Sequence, residues 1–183
     1  MSLLEKIKNL AKLNQADNVA TRRYLHAHPE LSYQEFETSK FIQAELTKIG
    51  IPFTVIATTG VLGIIEGKNP TKRVIALRAD MDALPIIEEN KIDYKSTNEG
   101  VMHACGHDVH TTILLGAAKV LWTLKDEFEG TIKLLFQPGE EKNPGGASYM
   151  IRDGALENPK PQGIIGLHVH PGLNEGKLSF RKG

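Results

Sequence analysis

The chain has 183 residues, 40% apolar and 24% charged, the composition of one α/β domain able to bury a core without cross-links. Its 22 basic residues balance 22 acidic ones, which leaves no net field to favour nucleic acid or an anionic membrane. The single cysteine, Cys105, excludes an intrachain disulfide framework and fits a reducing cytoplasm.

Leu3, Leu4, Ile7 and Leu10 recur at helical spacing among lysines, unlike a secretory signal, and no stretch approaches the length of a membrane span. Helical patterning covers 3–14 and 17–27, and His28-Pro29-Glu30 ends it. A stronger helix is predicted from Gln34 to Ile49, with Phe36, Phe41, Ile42, Leu46 and Ile49 as its buried stripe and Gly50 as its stop. The period then changes. Phe53–Ala57, Val61–Glu66 and Arg73–Ala79 read as strands between Gly and Pro turns.

A helix from Asp108 to Lys125 follows, then a strand over Thr131–Gln137, a short helix over Gly146–Arg152, and strands over Gly163–Val169 and Lys177–Arg181. Alternating strands and helices predict an α/β fold, a mostly parallel sheet with helices on both faces. Such sheets gather functional groups beyond the carboxyl ends of their strands. Asp80, Glu140-Glu141 and His168 all fall at such ends.

The segment Met102-His103-Ala104-Cys105-Gly106-His107-Asp108-Val109-His110 packs three histidines, a cysteine and an aspartate together. Cys105 and His107 are two apart, so in an extended loop they point to one side, and thiolate and imidazole both suit zinc and its neighbours. A Cys105 nucleophile activated by His107, or a solvated turn, are the other readings. After a strand, Asp80 and Asp82 offer two carboxylates, one of which would orient a metal-bound imidazole; an Asp-rich turn looks the same. Adjacent side chains at a strand end diverge, so one of Glu140 and Glu141 can bind a metal while the other faces the open site as a proton carrier. A surface acidic turn is the alternative. His168 and His170 end a buried strand, while His26 and His28 read as readily as parts of a structural helix stop.

Five segments carry a resemblance: Arg23–Ser32, Leu77–Pro85, Met102–Thr111, Gln137–Glu141 and Gly166–Val169. In content and order they resemble the hippurate hydrolase and indole-acetyl-amino-acid amidohydrolase family, within the aminoacylase and carboxypeptidase group of metallopeptidases. The resemblance implies two divalent ions (zinc, manganese or cobalt) held by Cys105, His107, Glu141 and His168. It implies Glu140 as general base, with Asp82 beside it in the catalytic group, orienting a ligand; Asp80 stands where related branches carry a histidine. It implies a small N-acyl amino acid substrate and a homo-oligomeric full-length form. Members are roughly twice this length, so residues 1–183 are expected to be the N-terminal portion of the catalytic domain. A lid and dimerisation domain and the C-terminal catalytic portion, with a further histidine ligand, lie outside it. The rival expectation is an inactive metal-binding or partner-binding fragment. A Cys–His hydrolase leaves Glu140, Glu141 and His168 without a purpose.

Overall fold

A computed structural model describes residues 1–180. Helix α1 (Leu3–Leu13) is closed by a reciprocal Ser2–Glu5 capping box and breaks at Asn14 into α2 (Gln15–Ala27). Helix α3 (Phe36–Ile49) is capped from outside: the Glu30 carboxylate accepts the Glu37 and Thr38 amides at 3.1 and 2.7 Å. Gly50, at φ 94°, ends it in the left-handed conformation. Ile42 and Leu46 of the expected stripe are fully buried, but Phe36 is 51% exposed, because the helix begins there and Glu35 turns inward instead.

Strands β1 (Phe53–Ile56) and β2 (Gly60–Glu66) form an antiparallel hairpin, followed by β3 (Val74–Asp80). Helix α4 (His107–Thr123) leads to β4 (Thr131–Gln137), and α5 (Gly146–Arg152) to β5 (Gly163–Gly166). The sheet order is β1-β2-β4-β3-β5. It is mixed: β4, β3 and β5 run parallel, whereas the hairpin returns β2 antiparallel to β4. No strand forms over 177–180, and Arg181 lies outside the described residues.

Strand alternation divides the core. Leu134 and Phe136 of β4 join Val61, Ile65, Ala79, Ile42, Leu46 and Leu115 under α3 and α4. Leu135 faces the other way, with Ala76, Met150 and Ala155 under α5. On that second face the fully buried Lys133 donates from Nζ to the carbonyls of Glu157 (2.7 Å) and Pro159 (3.0 Å), so its charge is met by backbone dipoles.

The chain steps from β3 through α4 to β4 on one side, then back past β3 to β5 on the other. That reversal opens a crevice at the carboxyl ends of the parallel strands. Among the described residues no helix is long and apolar enough to cross a membrane.

Among the described residues β5 pairs on one side only, with β3, and Ile164 and Ile165, with Leu167 just beyond the strand, are about half exposed. An unpaired apolar edge is a template for strand addition. The chain is expected to self-associate through it, and Ile164→Lys to shift the population towards monomer in sedimentation velocity. Identical sedimentation of variant and parent would place the contact elsewhere.

Candidate metal centre

The chain segments at the ends of β3, β4 and β5 converge on His107. Gly106, at φ 86°, turns the chain into α4, and a Cβ there would lie 2.4 Å from Val169. His107 is thereby the first helical residue, fully buried, with its ring over the ends of β3 and β4. Its Nδ1 lies 3.2 Å from Asp82 Oδ1, and its Nε2, although buried, has no hydrogen-bond partner among the described residues. With Nδ1–H donating to Asp82, Nε2 presents a lone pair 3.7 Å from Asp80 Oδ1 and 3.7 Å from Glu141 Oε1.

Asp82 is the hub. Its Oδ2 accepts Ser32 Oγ–H at 2.6 Å and the Glu141 amide at 3.0 Å. Burial favours its neutral form, but the bonds from His107, Ser32 and the Glu141 and Glu140 amides outweigh burial and hold it at about 2. Asp80 faces the opposite pull of burial and of His110, His107 and Arg78, and its pKa is lowered. Burial would lower His107, yet the Asp82, Asp80 and Glu141 carboxylates raise it. Burial, then the Glu141, Asp80 and Glu140 carboxylates, push the Cys105 thiol up to about 11. The pocket favours positive charge and opposes a bare thiolate.

Three donor groups share His107: Cys105 with His168, Asp80 with His110, and Glu140 with Glu141, each set offering ligand atoms within 4.8 Å of one another. The other five residues implied by the resemblance are therefore assembled around the His107 imidazole, four in donor groups and Asp82 behind the ring. Cys105 Sγ stands 3.5 Å from His168 Nε2. The residues fit a divalent ion: a thiol, imidazoles and carboxylates surround a buried ring nitrogen that has no other partner.

Two geometric expectations were wrong in their reasons. Cys105 and His107 converge through the Gly106 turn, not through extended alternation. Glu140 and Glu141 lie beyond β4, past Gly139 at φ 54°, and both reach His107 instead of diverging.

His110 carries more than the sequence indicated. It donates from Nδ1 to Asp80 Oδ1 at 2.6 Å, and its Nε2 accepts the Val169 amide at 3.0 Å, so both nitrogens are committed and the segment bearing His168 is tied to β3. Its i, i+3 spacing from His107, one helical turn, was the available signal. His103 is buried with neither nitrogen partnered among the described residues, and burial pushes it down to about 4. His170, exposed, accepts the Gly172 amide.

An α/β domain with this donor cluster at its parallel strand ends has the architecture of a metallopeptidase catalytic domain. Residues 76–183 match peptidase family M20/M25/M40, and the chain belongs to that family. It is 45% identical over 177 residues to the N-acyl-L-amino acid amidohydrolase of Geobacillus stearothermophilus, spanning 96% of this chain and 47% of that protein. To IAA-amino acid hydrolase ILR1-like 5 of Arabidopsis thaliana it is 49% identical over 167 residues, spanning 90% of this chain and 37% of that one. The fold matches the crystal structure of a Bacillus subtilis dinuclear metal-binding peptidase of the M20 family with a TM-score of 0.83. Identity there is 40%, covering 88% of this chain and 45% of that one. The chain spans under half the length of these relatives.

Behind the site, His26 of α2 bridges two buried carboxylates, Asp108 at 2.8 Å and Glu88 at 3.0 Å. Arg22 lies 3.0 Å from Asp108, and Tyr94 packs edge-on to the His26 ring. This network pins the irregular segment between β3 and α4 to the helices. Asp108 and Glu88 overcome burial and Arg22 to raise His26; burial would raise Glu88, but the Ser96 amide, His26 and Asn90 hold it at about 2. A lowered carboxyl contributes stability above its ordinary pKa of 4.5, lost as pH falls towards 2; a raised imidazole contributes fully below 6.5, lost as pH climbs through its folded value. Both contributions are complete between those ordinary values. Melting curves of Glu88→Gln and parent should therefore differ most near pH 5 to 6 and converge towards pH 2. A constant difference across that range would remove Glu88 from the acid limb.

Proposed function

We propose that the chain forms the N-terminal portion of the catalytic domain of a metal-dependent amidohydrolase that cleaves N-acyl amino acids or related small amides. The observation that carries this reading is the buried, unpartnered Nε2 of His107, with Asp82 holding the opposite nitrogen and three donor groups around it. The substrate class rests on what the Geobacillus and Arabidopsis relatives are named for. Cys105, His107, Glu141 and His168 would hold two divalent ions, with zinc, manganese and cobalt all compatible with the donors. When bound, the ions would bring a water towards ionisation at neutral pH and polarise the amide carbonyl.

The chain's own residues supply the rest. Asp82 fixes the ring and tautomer of His107 and, through the Glu141 amide, the turn that carries both glutamates. Glu140 is exposed on the open side and close to His107, and in this reading it would take a proton from the attacking water and return it to the departing nitrogen. Asp80 and His110 occupy each other and hold the segment that presents His168.

Metal binding without turnover is the second reading, favoured by the share of the relatives' length that the chain spans. Turnover of an N-acyl amino acid with a chelator control separates the two.

The adjacent glutamates divide the roles. In the complete enzyme, Glu141→Ala should lose bound metal, and activity with it. Glu140→Gln keeps its shape but accepts no proton, so metal content should hold while activity falls by about two to four orders of magnitude. Metal stoichiometry and turnover measured side by side decide it: a Glu140→Gln variant that sheds its metal, or retains most of its activity, reverses the assignment.

A further inference from the structure

Glu35 has no part in the reaction just proposed, yet its residue is fully buried. Capping does not explain it. It stands at the N-cap of α3 with no side-chain cap bond, because Glu30 already accepts the first-turn amides. Instead its carboxylate leaves the helix. Oε1 accepts the Gly139 amide at 2.7 Å and the Tyr33 amide at 2.9 Å, and Oε2 accepts the Thr59 hydroxyl at 2.8 Å.

Gly139 is the residue before Glu140. It sits at φ 54°, and a Cβ there would meet the Tyr33 ring at 2.2 Å, so the turn admits only glycine. Tyr33 also reaches the far end of the same loop: its hydroxyl donates to the Lys142 carbonyl at 2.7 Å and accepts the Gly145 amide at 3.0 Å. From the opposite side Asp82 accepts the Glu141 amide. Two buried carboxylates thus take alternate amides of one turn, residues 139 and 141, and the residue between them is Glu140.

We propose that Glu35 is a positioning residue for the acidic turn, fixing the backbone from which Glu140 and Glu141 reach His107. The metal-affinity half of the idea rests on the ligand reading above; the clamp itself does not. The groups facing Glu35 are two amides and a hydroxyl, and a hydroxyl can either donate or accept. A glutamine therefore keeps an oxygen for Gly139 and Tyr33 and reverses the Thr59 bond, whereas a methionine fills the space and accepts nothing.

The test uses the full chain. Glu35→Met should release the Gly139 amide to fast hydrogen exchange and weaken Zn²⁺ binding, titrated with the metal alone, by about 10–100-fold, the range for partners that orient ligands. Glu35→Gln should keep Gly139 protected and lose less than about tenfold. Ile42→Val, a core cut elsewhere, should lower the melting temperature and leave Zn²⁺ affinity in place, which a purely structural role for Glu35 would match. Retained protection and affinity in Glu35→Met, or equal losses in the Met and Gln variants, overturn the proposal. If Glu35→Met does not fold, Tyr33→Phe should free the Gly145 amide and weaken Zn²⁺ binding, and unchanged affinity there overturns it. If the parent takes up no Zn²⁺, the ligand reading fails, and Gly139 exchange alone decides the clamp.

Discussion

The arrangement around the crevice depends on where one carboxylate, Asp82, sends its two oxygens. One takes the His107 ring from α4; the other takes Ser32 from the loop before α3 and the Glu141 amide from the loop after β4. Three segments distant in sequence are thus referenced to one buried anion just past β3. Removing one partner of a buried charged pair costs about 3–5 kcal/mol because the other charge is left stranded. That penalty makes alternative placements of these loops expensive, and it leaves the other nitrogen of the same ring, His107 Nε2, pointing in a defined direction.

Topology explains why these segments meet. β3 and β4 are adjacent and parallel, in a register that pairs Asp80 with Gln137, so the residues following each strand emerge side by side. β5, parallel on the other flank of β3, brings the segment with His168 to the same edge. β2 runs the opposite way, so its start, not its end, lies there, which is how Thr59 comes to face Glu35 and the Gly139 turn. The hairpin that breaks the parallel pattern is therefore part of what supports the site.

Much of this was legible in the sequence. Helical and strand periods located every element up to β5 within a few residues, because each buries a face with the appropriate repeat. The density of histidine, cysteine and acid at 103–110 and the paired acids at 80, 82, 140 and 141 marked the candidate site, and the fold does bring these groups together. What stayed hidden were roles set by partners far along the chain. Glu35 is an isolated acid before a helix, and only the fold brings Gly139 and Thr59 to it. His26 read as part of a helix stop, and its two carboxylate partners are 62 and 82 residues away. The antiparallel placement of β2 was equally invisible, because periodicity gives the face of a strand and not its direction.

The site is built with two different degrees of constraint. Asp80, Asp82, His107 and His110 are nearly inaccessible and bonded to one another or to backbone, so their positions are fixed by the same packing that forms the core. Glu140, Glu141 and His168 sit on the exposed side, and their placement is inherited from backbone held elsewhere: by Asp82 and Glu35 for the glutamates, by His110 for the histidine segment. The crevice therefore has a floor fixed through side chains and walls fixed through backbone. The floor supplies direction, through a ring whose Nδ1 is held by Asp82, and the walls supply further donor groups. The central imidazole thus directs one nitrogen towards a donor set of mixed chemistry, a thiol, imidazoles and carboxylates, whose members are held by two separate means.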